Sequence, residues 1–351
     1  MEKQIFHQKQ KELFWEGCEM RIITAAGYYG TGTSAVIDLL KEYDNFSLVG
    51  KGDYEIRFVQ DPDGIADLYY NIVENNHRHN TSDAIKRFLK YCKYLNGDFY
   101  SKRYRKFFGN KFKELTIEYV NKLTQLKTKT WWHTDLIRKG RLINFVDICL
   151  GKIIKKFKRA EEMYSFACRN EFSYYTYISE TDFCNITKEY IDSLFKTACS
   201  TDNVLVEQLV PPSNVNRYLK FFNDLKVIVV DRDPRDIYVI SKKIYKTQII
   251  PVKNVRDFCK WYRITREHRK HENKDGFLFV QFEDMVYKYD ETVNKIERFV
   301  GAKREAHSRK QSCFNPSISA KGTKVFLKYP EYEQDVKHIE KELAEYLYKY
   351  E

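Results

Sequence analysis

"TAAGYYGTGTSAVIDLL", residues 24 to 40, decides the reading of this chain. Gly27, Gly30 and Gly32 punctuate a turn between the apolar run Arg21–Ala26 and an amphipathic stretch that begins at Ser34. Glycine permits positive φ and lets backbone N–H groups close on an anion, while a helix start adds partial positive charge. Thr31, Thr33 and Ser34 add hydroxyl donors. The spacing Gly27-x-x-x-x-Gly32 is that of a phosphate-gripping loop, yet Thr33 stands where a nucleotide-hydrolysing loop places lysine. That substitution disfavours magnesium-dependent hydrolysis or kinase chemistry. It leaves a phosphate ligand held by backbone and hydroxyls.

Working outward, short apolar runs suited to buried parallel strands recur at Phe46–Val49, Val204–Val206, Lys226–Asp231 and Phe277–Gln281. Helical patterns follow at Ser34–Glu42, Pro234–Lys243 and Tyr289–Val300. Strand, turn and helix in repetition imply an α/β fold with a doubly wound, mostly parallel sheet. Residues 1–20 read as an N-terminal extension and 21–351 as one α/β domain, with a large helical insertion over about 76–200. The last 20 residues read as a closing amphipathic helix.

The chain has 351 residues and a formal charge of +12, a balance that suits an anionic partner. Its eight cysteines are scattered without CxxC or metal-ligand spacing. The polar N-terminus and the lack of long apolar runs predict a soluble, cytoplasmic protein with reduced thiols and no transmembrane segment.

A second anchor lies in "VIVVDRDPRDIYVIS", residues 227 to 241. A buried strand ends at Asp231, and Arg232 follows at the sheet's carboxyl edge, where ligands bind in open α/β folds. Asp233 is a natural N-cap and Pro234 a natural first helical residue. Val230-Asp231 leaves an acid for a magnesium ion open.

Together these segments resemble the sulfotransferase family, which uses 3′-phosphoadenosine 5′-phosphosulfate on a fold related to P-loop kinases. Gly30-Thr31-Gly32-Thr33-Ser34 matches four of five positions of that family's 5′-phosphosulfate loop by chemical type. Arg232-Asp233-Pro234-Arg235-Asp236 with Ser241 resembles its 3′-phosphate element. "FVQFEDMVYKYDETVNKIERFVGA" (279–302) is similar to its strand, acidic turn and helix, and "LVEQLVPP" (205–212) to a strand end. "SAKGTK" (319–324) is similar to its closing Lys-Gly loop. The resemblance implies donor contacts from Gly27, Gly30, Thr31, Gly32, Thr33, Ser34, Arg232, Ser241, Lys321, Gly322 and Thr323, adenosine 3′,5′-bisphosphate as product, and no metal.

Two departures stand out. Gly30 occupies the place of the family's loop cation, and Ser241 falls nine residues after Arg232 instead of eight. An extra residue turns a helical side chain by roughly 100°. Arg57 or Lys51 is positioned in sequence to replace the cation. The expected reaction is sulfuryl transfer to a hydroxyl or amine, in which positioning and positive potential dominate. As general base, the resemblance implies Glu55 first, with Arg57 beside it, then His133 in "WWHTDL", then Glu207. Trp131 and Trp132 in the insertion suit an acceptor side, and a glycan is the expected acceptor class. The alternatives are a P-loop small-molecule kinase, a basic nucleic-acid-binding protein, and a fold relative that has lost activity; nucleic acid is not an expected partner in the first reading.

Overall fold

The computed structural model describes residues 20–50, 55–97, 103–158 and 165–350. Lys51 and all of the expected N-terminal extension except Met20 lie outside them. Met20 is itself buried. The chain divides into two compact units, Met1–Gln60 with Ile191–Glu351, and Asp61–Tyr190.

The strands are β1 (Arg21–Gly27), β2 (Phe46–Leu48), β3 (Leu126–Thr128), β4 (Ser173–Tyr175), β5 (Asn203–Glu207), β6 (Asp224–Asp231) and β7 (Phe277–Gln281). In the larger unit five of them form a parallel sheet in the order β2-β5-β1-β6-β7. Val227–Val230 are all buried, as a strand covered on both faces requires. Ile228 and Val230 enter a core with Val36, Leu39 and Leu40 of the helix Thr33–Leu40 and Ile296 of the helix Tyr289–Val300. Asp231, of the opposite parity, meets Arg266 of the helix Val255–Arg266. Helices therefore cover both faces, and the doubly wound α/β class is the observed one.

This order decides where a ligand can sit. β1 is central, Gly27 is in register with Val230 of β6, and Ala25 with Glu207 of β5. The turn after β1 is consequently flanked by Glu207-Gln208 on one side and by Arg232 on the other.

The smaller unit is mostly helical, with long helices at Arg78–Asn96, Lys111–Leu123 and Arg141–Lys158. Its core includes Phe88, Phe112, Tyr119 and Phe183, with Tyr119 stacked on Tyr190 at 4.5 Å. Arg87 braces it through Asp67 at 2.6 Å and Asp83 at 3.0 Å. Beside these helices, β3 and β4 pair antiparallel within it. The unit runs from 61 to 190, and the last turns of the helix Glu180–Lys196 belong to the larger unit.

Two helix expectations need correction. The helix from Pro234 is α-helical only to Val239 and widens into a π turn at Ile240–Ile244. The C-terminal helix ends at Glu342. Beyond it the tail is captured by carboxylates: Tyr348 donates its N–H to Asp233 Oδ2 at 3.2 Å and its hydroxyl to Asp284 Oδ1 at 2.9 Å.

Candidate active site

The turn after β1 is held open by left-handed backbone at Tyr29 (φ 71°), Gly30 (φ 67°) and Gly32 (φ 92°). A Cβ on Gly32 would lie 2.7 Å from Phe282 Cδ2, so close approach as well as φ demands glycine there. The helix Thr33–Leu40 starts with no side-chain cap and no acid in its first turn, leaving its amide N–H groups for an anion. Thr33 donates its hydroxyl to Glu207 Oε1 at 2.7 Å. Burial, together with the nearby charges of Glu55 and Asp38, raises the pKa of Glu207, while the Thr33 hydrogen bond works the other way. Thr31 Oγ1 is buried without a hydrogen-bond partner, and Ser34 is exposed.

Arg232 reaches this turn from β6. Its guanidinium donates to Gly30 O at 3.4 Å and to Gly322 O, and lies 4.5 Å above the Phe282 ring. Tyr262 fixes the backbone by donating to Arg232 O at 2.9 Å. Arg232 is buried, and its Nε has no partner.

The residues after Arg232 act as a frame. Asp233 accepts from Arg235 N at 2.8 Å, making the expected N-cap. Arg235 turns back onto Asp233 at 2.6 Å and onto Glu340 at 2.9 Å. Asp236 accepts the backbone N–H groups of Lys324 at 2.9 Å and Val325 at 2.6 Å, fastening the 319–324 turn over Arg232. Glu283 accepts from Asp233 N at 3.0 Å, and burial pushes its pKa up to about 8.

A cleft of about 530 Å³ results, lined by Gly30, Gly32, Thr33, Ser34, Arg232, Lys321 and Gly322 among others. Seven of the predicted donor contacts thus meet in one place. Gly27 lines a different cavity; Thr31 is buried beneath the turn. Thr323 is buried, its hydroxyl 2.6 Å from that of Tyr287. Ser241 is buried in the π turn and does not line the cleft.

The other flank of the same turn forms a cavity of about 420 Å³, lined by Tyr28, Arg57, Gln60, Gln208, Trp261 and His268 among others. Glu55 lies at its margin without lining it, paired with Arg57 Nη1 at 2.9 Å. His133 is an exposed residue of the smaller unit at the start of the helix His133–Arg138, its ring 4.7 Å from that of Trp132.

Three groups escaped the sequence reading. His268 Nε2 is 2.9 Å from Tyr28 Oη, and its Nδ1 is 2.7 Å from Glu272 Oε2. With Nδ1 facing the carboxylate, Nε2 is placed to accept from Tyr28, whose single phenolic proton also reaches Pro212 O at 3.1 Å. Arg269 Nε donates to the same phenol at 3.2 Å. The signal was the four-residue spacing of His268 and Glu272, but only the fold brings Tyr28 to them. Asp231, left open as a cation ligand, is instead taken by Arg266 at 2.7 and 2.9 Å and by Arg269. Burial opposes its ionisation, yet the two guanidiniums win and hold its pKa below the usual carboxylate value.

Residues 185–306 match the profile of the Sulfotransferase family. Over those residues the chain is similar to the sulfotransferase family. The match spans β5, β6, Arg232 and β7, roughly a third of the chain, and bears out the resemblance read from the motifs. A comparison with curated proteins finds no match. Solved structures similar to the chain include a sulfotransferase from Mycobacterium avium, at 12% identity and TM-score 0.35, covering 95% of this chain and 80% of that one. A sulfotransferase domain of the Synechococcus PCC 7002 olefin synthase gives 11% and 0.39, with 96% and 98% covered. A Mycobacterium tuberculosis sulfotransferase gives 10% and 0.33, with 90% and 80% covered. The fold assignment rests on the chain's own strand order and turn.

Proposed function

We propose that the protein transfers a sulfuryl group from 3′-phosphoadenosine 5′-phosphosulfate to a hydroxyl or amine of a small polar acceptor, a carbohydrate being the favoured class. The observation that carries this reading is the cleft in which Arg232 and an uncapped, lysine-free glycine turn face one another. The orphaned Arg232 Nε and the uncapped helix start at Thr33–Ser34 fit a ligand with two separated phosphates.

When bound, the donor supplies the activated sulfuryl group. Thr33, Ser34 and the helix start hold its 5′ end, and Arg232, Lys321 and the amide of Gly322 hold its 3′-phosphate. The turn at 319–324, fastened by Asp236, shields that phosphate from water. On the other flank, Tyr28 and Trp261 offer faces and Gln60 and Gln208 offer amides to a polyhydroxylated ring. The acceptor's proton passes to the Tyr28 phenol as the phenol gives its own to His268 Nε2, with Glu272 orienting the imidazole. Arg57, lining this cavity, supplies the cation that Gly30 lacks. Glu207 holds the Thr33 hydroxyl in place. The described cysteines Cys92, Cys149, Cys168, Cys184, Cys199, Cys259 and Cys313 form no disulfide, which suits a reducing cytoplasm.

The test is calorimetry with adenosine 3′,5′-bisphosphate. Wild type binds, and Arg232→Ala weakens binding about 10- to 100-fold, the loss of a charge-assisted contact to phosphate. No binding, or a thermal shift with ATP and magnesium alone, overturns the reading in favour of a kinase. Steeply salt-dependent DNA or RNA binding without bisphosphate binding overturns it in favour of a nucleic-acid partner.

A further inference from the structure

The helix Arg141–Lys158 presents its apolar residues to solvent. Leu142, Phe145, Val146, Cys149 and Ile153 follow the spacing i, i+3, i+4, i+7, i+11 and so share one stripe. Their exposure is high: 83% at Leu142, 68% at Phe145, 52% at Val146 and 54% at Ile153. The side that turns inward is marked by Asp147, which is buried and accepts from Ala167 N at 2.7 Å. A contiguous exposed apolar stripe of this length marks an interaction surface.

Charge identifies the occupant. The helix sequence carries five lysines and arginines against one acid, Asp147, and that acid faces inward. A second copy of the same helix would bring like charge onto like charge. An anionic surface complements it, and each cation near such a surface contributes about 1 kcal/mol. The helix is also not long and apolar enough to cross a bilayer. An exposed apolar stripe on a helix that carries five cations and one inward acid is the pattern of a helix lying in the interfacial plane.

We infer that the helix Arg141–Lys158 docks the protein on an anionic phospholipid surface, burying Leu142, Phe145, Val146 and Ile153 among the acyl chains while Arg141, Lys152 and Lys156 meet the headgroups. This does not rest on the sulfuryl-transfer reading.

The experiment is flotation of the full chain with vesicles of phosphatidylcholine alone and of phosphatidylcholine mixed with phosphatidylglycerol. Wild type binds only the mixed vesicles. Phe145→Glu, or Leu142→Glu with Ile153→Glu, weakens binding at least about tenfold, and Lys152→Glu with Lys156→Glu does the same with a shallower salt dependence. Unchanged melting temperature shows that each variant is folded, and bisphosphate titration reads the nucleotide site separately. Failure of wild type to bind the mixed vesicles overturns the inference. So does vesicle binding indifferent to Phe145→Glu, which would be diffuse charge attraction, or a dimer that Phe145→Glu dissociates without any vesicle binding.

Discussion

The carboxylate of Asp236 accepts the backbone N–H of Val325 at 2.6 Å, joining residues 89 positions apart. The same carboxylate takes the N–H of Lys324 and does not line the cleft. The last residue of the Arg-Asp-Pro-Arg-Asp element is thus a fastener for the turn that covers Arg232. Asp236→Ala leaves three N–H groups, two of them buried, without their acceptor, since Phe326 N also donates to it at 3.3 Å. The expected loss of stability is about 2–3 kcal/mol. Bisphosphate affinity falls as well, because the turn carrying Lys321 and Gly322 is released. Differential scanning calorimetry and titration check both; a variant with wild-type affinity would show that the turn does not contact the ligand.

The two glycines of the turn separate on substitution. Gly30 and Gly32 both have positive φ, but a Cβ on Gly30 meets nothing nearer than Ile250 Cδ1 at 3.9 Å, whereas on Gly32 it strikes Phe282. Gly30→Ala therefore costs about 1–2 kcal/mol from backbone conformation alone. Gly32→Ala adds displacement of the ring that supports Arg232, for about 3 kcal/mol or more in total, and impairs bisphosphate binding. Equal losses for the two variants in thermal melts would contradict the close packing of Gly32 on Phe282.

Much of this was legible because strands buried on both faces read as apolar runs: all five runs became strands of one sheet. The turn and Arg232 were legible because each pairs an unusual local chemistry with a strand end. What stayed hidden depends on partners distant in sequence. Ser241 was placed by helical spacing, which the π turn alters. The C-terminal stretch has a helical pattern throughout, but its last residues gain more from Asp233 and Asp284 than from continuing the helix. Tyr28 and His268, 240 residues apart, carry no shared local signal.

Glu283 gives the chain a pH signature. Burial lifts its pKa from 4.5 to about 8. Below pH 4.5 folded and unfolded chains both hold the proton. Between the two values the unfolded chain releases it and the folded chain keeps it, so stability falls as pH rises, and the full cost is present above about pH 8. Glu283→Gln keeps an oxygen for Asp233 N and removes the ionisation. The variant matches wild type near pH 4 and gains up to about 5 kcal/mol by pH 9. Parallel denaturation curves across that range, with no growing gap, would contradict a buried neutral carboxyl.

The division of labour between Glu207 and His268 can be read kinetically. Glu207 touches Thr33 of the donor cleft, whereas His268 lines the cavity on the other flank. If His268 receives the acceptor's proton through Tyr28, His268→Asn and Tyr28→Phe each lower kcat by about 100-fold or more while leaving bisphosphate affinity unchanged. Glu272→Gln, which loosens the imidazole without removing it, lowers kcat less. Glu207→Gln leaves Thr33 an oxygen acceptor and changes donor affinity by less than about threefold, with kcat largely kept. Removing the Thr33 hydroxyl as Thr33→Val weakens donor binding and leaves Glu207 buried without its partner, so it also lowers stability. Stopped assays with a hydroxyl acceptor, read beside calorimetry, separate these outcomes: a collapse of kcat in Glu207→Gln with an unimpaired His268→Asn would move the proton to the carboxylate beside Thr33.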